Sequence, residues 1–272
     1  MKRNQFLLLT AALAGSMLPA LTARSQTFTY NPSDLLLGFR NGGANDFVVD
    51  LGPASTFYTS ISQAPYTTFN ITAYSGSQLS SVFGSLDGLS FSVFGDVRSS
   101  TSAFGPLNTL WVTAPRMTLD VQAPAWNRGS TFQQANAGAK IDGIANGAVS
   151  YGGTIASDPT FNTPTALRLD STWNASGVSY TRGMTAAGNL AGTFQGDVEN
   201  ITPTGFATGG SPLQSDLFMI EPGSGAGNEL GYFTLQTDGS MTFTTVPEPS
   251  AMALAGAGFG MLLLRNYLRR RS

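Results

Sequence analysis

The sequence predicts a mainly β protein, a β-sandwich or barrel-like single domain with one or two short helices, placed between two apolar terminal segments. Three observations predict this class. Seven runs are rich in Val, Phe, Leu, Thr and Tyr, which favour strands. Only 11% of the 272 residues are charged, and Gly, Ser, Thr, Asn and Ala dominate, a composition that suits exported β-rich proteins. The chain has no Cys, so packing and hydrogen bonds rather than disulfides must stabilise the fold.

The N-terminal apolar segment has the regions of a signal peptide. Lys2 and Arg3 give it a positive start, the next stretch is mainly apolar as far as Leu21, and small residues precede a cleavage position between Ser25 and Gln26. We therefore expect a cleaved signal peptide and export through the Sec machinery. The alternative, an uncleaved N-terminal anchor, also predicts export.

Strand patterns dominate the residues that follow. Asp238 and Gly239 separate the last two runs, and an Asp-Gly pair between alternating runs predicts a tight hairpin. Trp111 lies inside an apolar run, which predicts a place in the core. The seven runs are FTYNPSDLLLGFR, NDFVVDLG, GLSFSVFGDV, NTLWVTA, SDLFMIE, LGYFTLQT and SMTFTTV.

Two stretches favour helices. SGSQLSSVFGSL predicts a short amphipathic helix capped at Ser75 or Ser77. STFQQANAGAKIDGIANG begins with a capping box from Ser130 to Gln133. The second stretch contains several glycines, and each one weakens a helix by up to about 1 kcal/mol relative to Ala.

Missing residue types and the charge distribution exclude several functions. Without His and Cys the chain lacks the usual general base and the usual zinc ligands, so Ser-His-Asp and HExxH chemistry are excluded. Residues 26–249 hold all 16 acidic residues but only seven basic ones, a net charge of −9. Nucleic acids and anionic lipids require a basic surface, so we expect neither as a partner. No feature predicts a cofactor.

The C-terminal apolar segment predicts a short membrane-spanning helix. Residues 251–264 carry no charge, and extension through Leu268 gives 18 residues, or about 27 Å of helix at 1.5 Å per residue. That length nearly matches a hydrocarbon core of about 30 Å. Positive residues stay on the cytoplasmic side of a membrane, so the basic cluster after the apolar run should stop transfer. The cluster consists of Arg265, Arg269, Arg270 and Arg271.

A short Pro-containing motif precedes this segment. It consists of Val246, Pro247, Glu248 and Pro249. The two prolines fix φ and disfavour both a helix and a central strand, so we expect an exposed, extended peptide that a protease or transpeptidase can bind.

The motif, the apolar helix and the terminal Arg cluster together resemble the PEP-CTERM sorting signal, found on exported proteins of Gram-negative bacteria that make extracellular polysaccharide. The resemblance covers about the last 27 residues of the chain. It implies that an exosortase, a cysteine transpeptidase-like membrane enzyme, recognises the VPEP motif and separates the body from its helix. The motif residues would then be recognition residues of a substrate, with the catalytic Cys in the partner.

These features divide the chain into a signal peptide (1–25), an exported β-rich domain (26–244) and a sorting signal (245–272) with its transmembrane helix at 251–268. The sequence predicts a non-enzymatic protein that inserts transiently in the inner membrane, reaches the cell surface or extracellular matrix after processing, and associates with extracellular polysaccharide. One alternative is a permanently anchored surface protein, in which VPEP is only a spacer. The other is a secreted carbohydrate-active enzyme.

Candidate ligand-binding residues in the body are aromatic and acidic. Sugar rings pack on exposed aromatic faces, and the candidates are Trp126 and Trp173, which lie in loop-like surroundings, together with Tyr151 and Tyr180. Enzymatic candidates are the pairs Asp46 with Asp50 and Asp197 with Glu199. The first pair would be too far apart for glycosidase chemistry, because i and i+4 residues on a strand lie about 13 Å apart. The loops with Asn41, Asn45 and Asp46, and with Glu221, Asn228 and Glu229, offer oxygens to calcium, but hairpin loops explain both better.

Overall fold

A single curled antiparallel sheet of ten strands forms the body. The structure, a computed structural model, describes residues 27–43, 45–58, 66–98, 105–154, 162–170, 179–184, 190, 194 and 196–246. The strands are β1 (Asp34–Arg40), β2 (Asp46–Pro53), β3 (Thr68–Asn70), β4 (Ser90–Asp96), β5 (Leu110–Pro115), β6 (Ala166–Leu169), β7 (Asn200–Ile201), β8 (Leu213–Ile220), β9 (Asn228–Leu235) and β10 (Met241–Thr245). The helices are α1 (Ser55–Tyr58), α2 (Gly76–Phe83), α3 (Thr131–Thr154) and α4 (Tyr180–Gly183), with a 3-10 turn at Phe206–Thr208.

The strand order makes the sheet a half-barrel. Neighbours run β3-β10-β9-β8-β5-β4-β1-β2-β6, and the short β7 pairs with the first half of β4. Thr165, just before the edge strand β6, donates its hydroxyl to the carbonyl oxygen of Ala73, just after the edge strand β3, at 2.8 Å. The two edges of the sheet therefore curl towards each other. The body is mainly β, as predicted, with one sheet in place of the two layers of a sandwich.

Alternation along the strands gives the sheet a core on each face. In β1, Leu35, Leu37 and Phe39 join one core, and Leu36 joins the other. Helices α1 and α2 cover the first face, where aromatic rings cluster around Phe243. Helices α3 and α4 cover the second face. Burial on both faces explains why the strand runs contain so few charged residues.

Helix α3 is longer than the sequence predicts. The Ser130 capping box is present, because the Gln133 N–H donates to the Ser130 hydroxyl (3.3 Å) and the Gln133 carboxamide oxygen accepts from the Ser130 N–H (3.0 Å). The helix then runs for 24 residues, so the expectation of short helices is wrong here. Small residues let α3 approach its neighbours closely, and this packing offsets the low helix propensity of its glycines. A Cβ on Gly138 would collide with the carboxylate of Asp96, and one on Gly152 would be 3.2 Å from Cβ of Phe28.

Most other sequence predictions are confirmed within the described residues. All seven predicted runs contain a strand. Helix α2 is capped at Ser75 by a capping box, the Asp238-Gly239 hairpin joins β9 to β10 with Gly239 at φ +83°, and Trp111 is fully buried. The short strands β3, β6 and β7 were not predicted.

The terminal predictions lie outside the described residues. These are the signal peptide with Ser25 and Gln26, the motif residues Pro247, Glu248 and Pro249, the helix at 251–268 and the terminal Arg cluster. Among the residues that the structure does describe, no helix combines the length and the apolar character needed to cross a membrane.

Candidate binding pocket

A pocket of about 340 Å³ lies where β5 begins and β8 ends, beside the first turn of α3. The loop that leads into α3 forms one wall, and Phe194 contributes from a later segment. Its lining combines apolar, amide and guanidinium groups. The lining residues are Leu110, Pro124, Ala125, Trp126, Asn127, Arg128, Gly129, Gln133, Gln134, Phe194 and Ile220.

Trp126 is the main aromatic group of the pocket. Its indole Nε1 donates to the carbonyl oxygen of Thr113 at 3.1 Å, which fixes the orientation of the ring. The ring packs against Phe194 with centroids 5.1 Å apart, and against Gly196, where a Cβ would be 3.3 Å from the indole. The side chain remains partly exposed. Trp126 is thus a fixed, partly exposed aromatic ring that lines the pocket, and it lies in a loop, as its sequence context predicted.

Gln134 presents an unusual polar group in the pocket wall. The residue is only 2% exposed. Its Nε2 donates to the carbonyl oxygens of Ile220 and Glu221, both at 3.3 Å. Because both neighbours are acceptors, the amide orientation is fixed and Oε1 points elsewhere. Oε1 has no hydrogen-bond partner among the described residues. A buried acceptor without a donor costs about 1–3 kcal/mol.

The pocket loop is bound to the β8–β9 hairpin loop by main-chain hydrogen bonds. The Arg128 N–H donates to the Gly225 carbonyl oxygen, and the Gly227 N–H donates to that of Trp126, both at 2.7 Å. The Gly223 N–H donates to the Gly129 carbonyl oxygen at 3.1 Å. These bonds hold the wall of the pocket in place without a ligand.

Among the described lining residues, Arg128 is the one with a charged side chain. Its Nε donates to the carbonyl oxygen of Ala226 at 3.1 Å, and its Nη1 lies 3.3 Å from Oε2 of Glu221. The guanidinium is therefore neutralised by a carboxylate beside the pocket. The site has no strong net charge of its own.

Buried ionic contacts hold the start of the pocket loop. Arg116 donates from Nε to Oδ1 of Asp216 at 2.6 Å and contacts Oε1 of Glu229 at 3.3 Å, with its guanidinium 3.9 Å from the ring centre of Tyr232. The Ala123 N–H donates to the second oxygen of Asp216 at 2.6 Å. Burial and the neighbouring Asp216 raise the pKa of Glu229. These contacts tie the loop to β8 and β9.

No family model, curated protein or solved structure matches the chain. Its function therefore has to be inferred from its own residues.

The predicted enzymatic pairs are engaged in structural contacts. Asp46 accepts hydrogen bonds from the N–H (2.8 Å) and hydroxyl (2.5 Å) of Thr181. Glu199 forms a two-point ion pair with Arg40. Asp50 lines a second pocket of about 450 Å³ between β2 and β3, where burial raises the pKa of its carboxyl to about 6. It is the only carboxyl group in the described lining of that pocket.

The predicted calcium loops are both hairpin loops, between β1 and β2 and between β8 and β9. Their acids face protein partners: Asp46 bonds Thr181, Glu221 pairs with Arg128, and Glu229 pairs with Arg116. Among the residues described, no three Asp or Glu side chains are grouped so that they could hold a metal ion.

The remaining aromatic candidates do not join the pocket. Tyr180 is fully buried and Tyr151 is nearly so, while Trp173 lies outside the described residues. The sequence did not predict Gln134, because the carbonyl oxygens that fix its side-chain amide belong to Ile220 and Glu221, which are far away in the chain. The Ser130 capping box was the one local signal, since it places Gln134 in the first turn of α3.

Proposed function

We propose that this protein is an exported, non-enzymatic protein of the cell surface or extracellular matrix. In this proposal an exosortase processes it at the VPEP motif after transient insertion in the inner membrane, and its body associates with extracellular polysaccharide. The sequence supports the sorting route through the order of motif, apolar segment and Arg cluster at residues 246–271.

The observation that carries the proposal is how far the described sheet extends towards the motif. The Val246 N–H donates to the carbonyl oxygen of Leu230 at 3.3 Å. One residue earlier, the Thr245 N–H donates to the Thr67 carbonyl oxygen and its own carbonyl oxygen accepts from the Tyr66 N–H, both at 3.0 Å. The ordered sheet thus reaches the residue before Pro247. A sorting motif placed between body and membrane is expected to begin at this point.

The sheet topology is compatible with two membrane segments on one side of the body. Five antiparallel pairings lead from β1 through β4, β5, β8 and β9 to β10. An odd number of antiparallel steps puts the start of β1 and the end of β10 at the same end of the sheet. Residues 247–250 span roughly 14 Å at most. In the inserted intermediate, this end of the body would lie close to the membrane.

The proposal of a non-enzymatic body is supported by the carboxylates. Glycosidases need two carboxyl groups about 5–10 Å apart across the sugar. Asp46 and Glu199 are bound to Thr181 and Arg40. The carboxyl group near enough to Asp50 to raise its pKa is that of Asp34, and it already accepts hydrogen bonds from Asn31 and does not line the described pocket. Loss of glycan turnover in an Asp50→Asn variant would instead favour the enzymatic alternative.

The test is to measure the intact mass and the C-terminal peptide of protein from its native host. We expect the mature form to lack everything beyond the VPEP region. A variant with Pro247, Glu248 and Pro249 replaced by Ala should be exported but remain full length in the inner membrane. Pro106→Ala, an exposed Pro of the β4–β5 loop, is the matched control and should be processed normally. Normal processing of the triple variant, or a wild-type form that keeps RNYLRRRS, would refute the sorting role.

A further inference from the structure

We propose that the Trp126 pocket binds an uncharged, hydroxyl-rich saccharide unit. This inference rests on the proposed function, which supplies an extracellular polysaccharide as the source of the ligand, and adds to it a site and a ligand chemistry. The Trp126 pocket is the pocket formed by the lining residues given above.

The aromatic surface is the first reason for a saccharide. The C–H faces of a sugar ring pack on indole and phenyl faces, and binding pockets typically combine such rings with a few oriented polar groups. Trp126 is partly exposed, and its Nε1 is already bonded to Thr113. It therefore offers its ring, rather than a hydrogen bond, to a ligand. Phe194 extends the apolar surface, 5.1 Å away between ring centroids.

The unpaired acceptor is the second and more selective reason. Oε1 of Gln134 has no donor, and Nε2 cannot exchange places with it because Ile220 and Glu221 both present carbonyl oxygens. The missing partner must therefore be a donor. A sugar hydroxyl is such a donor, whereas a carboxylate or phosphate group is an acceptor only. Oε1 is buried from solvent, so a ligand hydroxyl reaches it only by displacing part of the wall at Gln134; that contact would remove the cost of the unpaired oxygen.

Charge argues against an anionic ligand. Residues 26–249 carry a net charge of −9, which repels acidic polymers. Arg128, the one cation among the described lining residues, already pairs with Glu221 at 3.3 Å. A uronic acid would have to displace this carboxylate from Arg128. The pocket thus favours neutral sugar units.

Size and rigidity agree with a short saccharide segment. The volume of about 340 Å³ lies near the lower end for small-molecule sites. The hydrogen bonds between residues 126–129 and the β8–β9 hairpin loop hold the wall in place before binding. A preformed site loses less entropy on binding than a mobile one.

The test uses the protein purified from its native host and fragments of the same host's polysaccharide, separated by ion exchange into neutral and anionic pools. Binding is measured by calorimetry and by acrylamide quenching of tryptophan emission. We expect neutral fragments to bind and to protect tryptophan from the quencher. Protection should disappear in Trp126→Phe if that variant still binds, because the protected indole is then absent.

Two variants and a control test the site itself. Trp126→Ala and Gln134→Leu should each weaken binding of neutral fragments by at least about tenfold, which corresponds to about 1.4 kcal/mol. Phe132→Ala is the control, because this neighbouring side chain is 75% exposed and does not line the pocket. It should bind like the wild type. Thermal unfolding of each variant separates loss of binding from loss of folding.

Several outcomes would overturn the inference. They are tighter binding of the anionic pool, unchanged affinity in folded Trp126→Ala, and the absence of any binding by the folded wild type. The mass of the C-terminus, measured on the same sample, reports on the sorting proposal separately. A protein that binds neutral fragments but keeps its C-terminal tail would support the pocket inference and refute sorting. A processed protein that binds no fragment would support sorting and refute the pocket inference.

Discussion

The phenol ring of Tyr180 lies directly over Gly38, so close that a Cβ on residue 38 would be 2.5 Å from Cδ2 of the ring. Tyr180 comes from α4 and Gly38 from the central strand β1. The same ring stacks on Phe94 at a 5° interplanar angle and shares a 2.8 Å hydrogen bond with Ser92. Only a residue without a side chain at this position of β1 leaves room for the Tyr180 ring of α4 to pack against the strand.

We predict that Gly38→Ala destabilises the fold by about 1–3 kcal/mol, because the fixed ring cannot move aside without losing its stacking and its hydrogen bond. Gly143→Ala is the matched control. It lies in α3, and a Cβ there would meet nothing within 4 Å. It should raise stability by about 0.5–1 kcal/mol through helix propensity. Urea unfolding of both variants measures the difference, and equal effects would contradict the packing argument.

Asp96 gives a prediction about pH. It is fully buried under α3, and neither carboxylate oxygen has a hydrogen-bond partner among the described residues. Burial and the neighbouring Asp142 raise the pKa of Asp96 to about 8, although Arg98, 3.4 Å from Oδ2, acts in the opposite direction. In the unfolded chain the carboxyl ionises near pH 4. This group therefore reduces stability progressively as the pH rises from about 4 to about 8, and no further above that.

We predict that Asp96→Asn removes this pH dependence. The variant and the wild type should have similar stability at pH 4, and the variant should be the more stable at pH 7, by on the order of 1.4 kcal/mol for each pH unit above 4. Urea unfolding at pH 4, 6 and 8 is the measurement. Parallel pH profiles of the two proteins would show that the Asp96 carboxyl is already ionised in the folded state.

The fold shows what local sequence patterns can predict. The seven long runs, each rich in β-branched and aromatic residues, all contain strands. Strands β3, β6 and β7 have two to four residues and depend on partners elsewhere in the chain, so no local pattern marks them. A sandwich and a curled sheet need the same strands. The choice between them is made by non-local pairings such as β5 with β8, for example Trp111 opposite Met219.

The candidate site was predictable to a smaller extent. Trp126 could be singled out because a Trp in a Pro-rich and Gly-rich loop is not expected in a core. Gln134 could not, since its unpaired oxygen results from three separate segments meeting: α3, β8 and the loop after it. Likewise the buried pairing of Arg116 with Asp216 connects residues that are 100 positions apart.

Arg116 gives a prediction about the pocket loop. Its side chain is 5% exposed and that of Asp216 is fully buried. Removing one partner of a buried ion pair leaves the other uncompensated, so we predict that Arg116→Leu costs about 3–5 kcal/mol. Arg128→Leu is the control, because its pair with Glu221 is partly exposed and should cost no more than about 1 kcal/mol. Denaturant unfolding gives both changes in the free energy of unfolding. A small loss of stability in Arg116→Leu would contradict the prediction, because it would mean that burying Asp216 and Glu229 without Arg116 costs little.

The last prediction concerns the proposed sorting motif, whose first residue, Val246, is bonded to the sheet. The Val246 N–H donates to the carbonyl oxygen of Leu230, so an enzyme that binds VPEP must come into direct contact with the folded sheet. Inserting about eight Gly and Ser residues between Thr245 and Val246 adds an r.m.s. reach of roughly 16 Å. We predict faster processing in the host, followed by pulse-chase and gel mobility. The same insertion in the β1–β2 loop after Gly42 is the control and should leave the rate unchanged. A slower rate for the first insertion would indicate that the enzyme recognises the end of the sheet together with the motif.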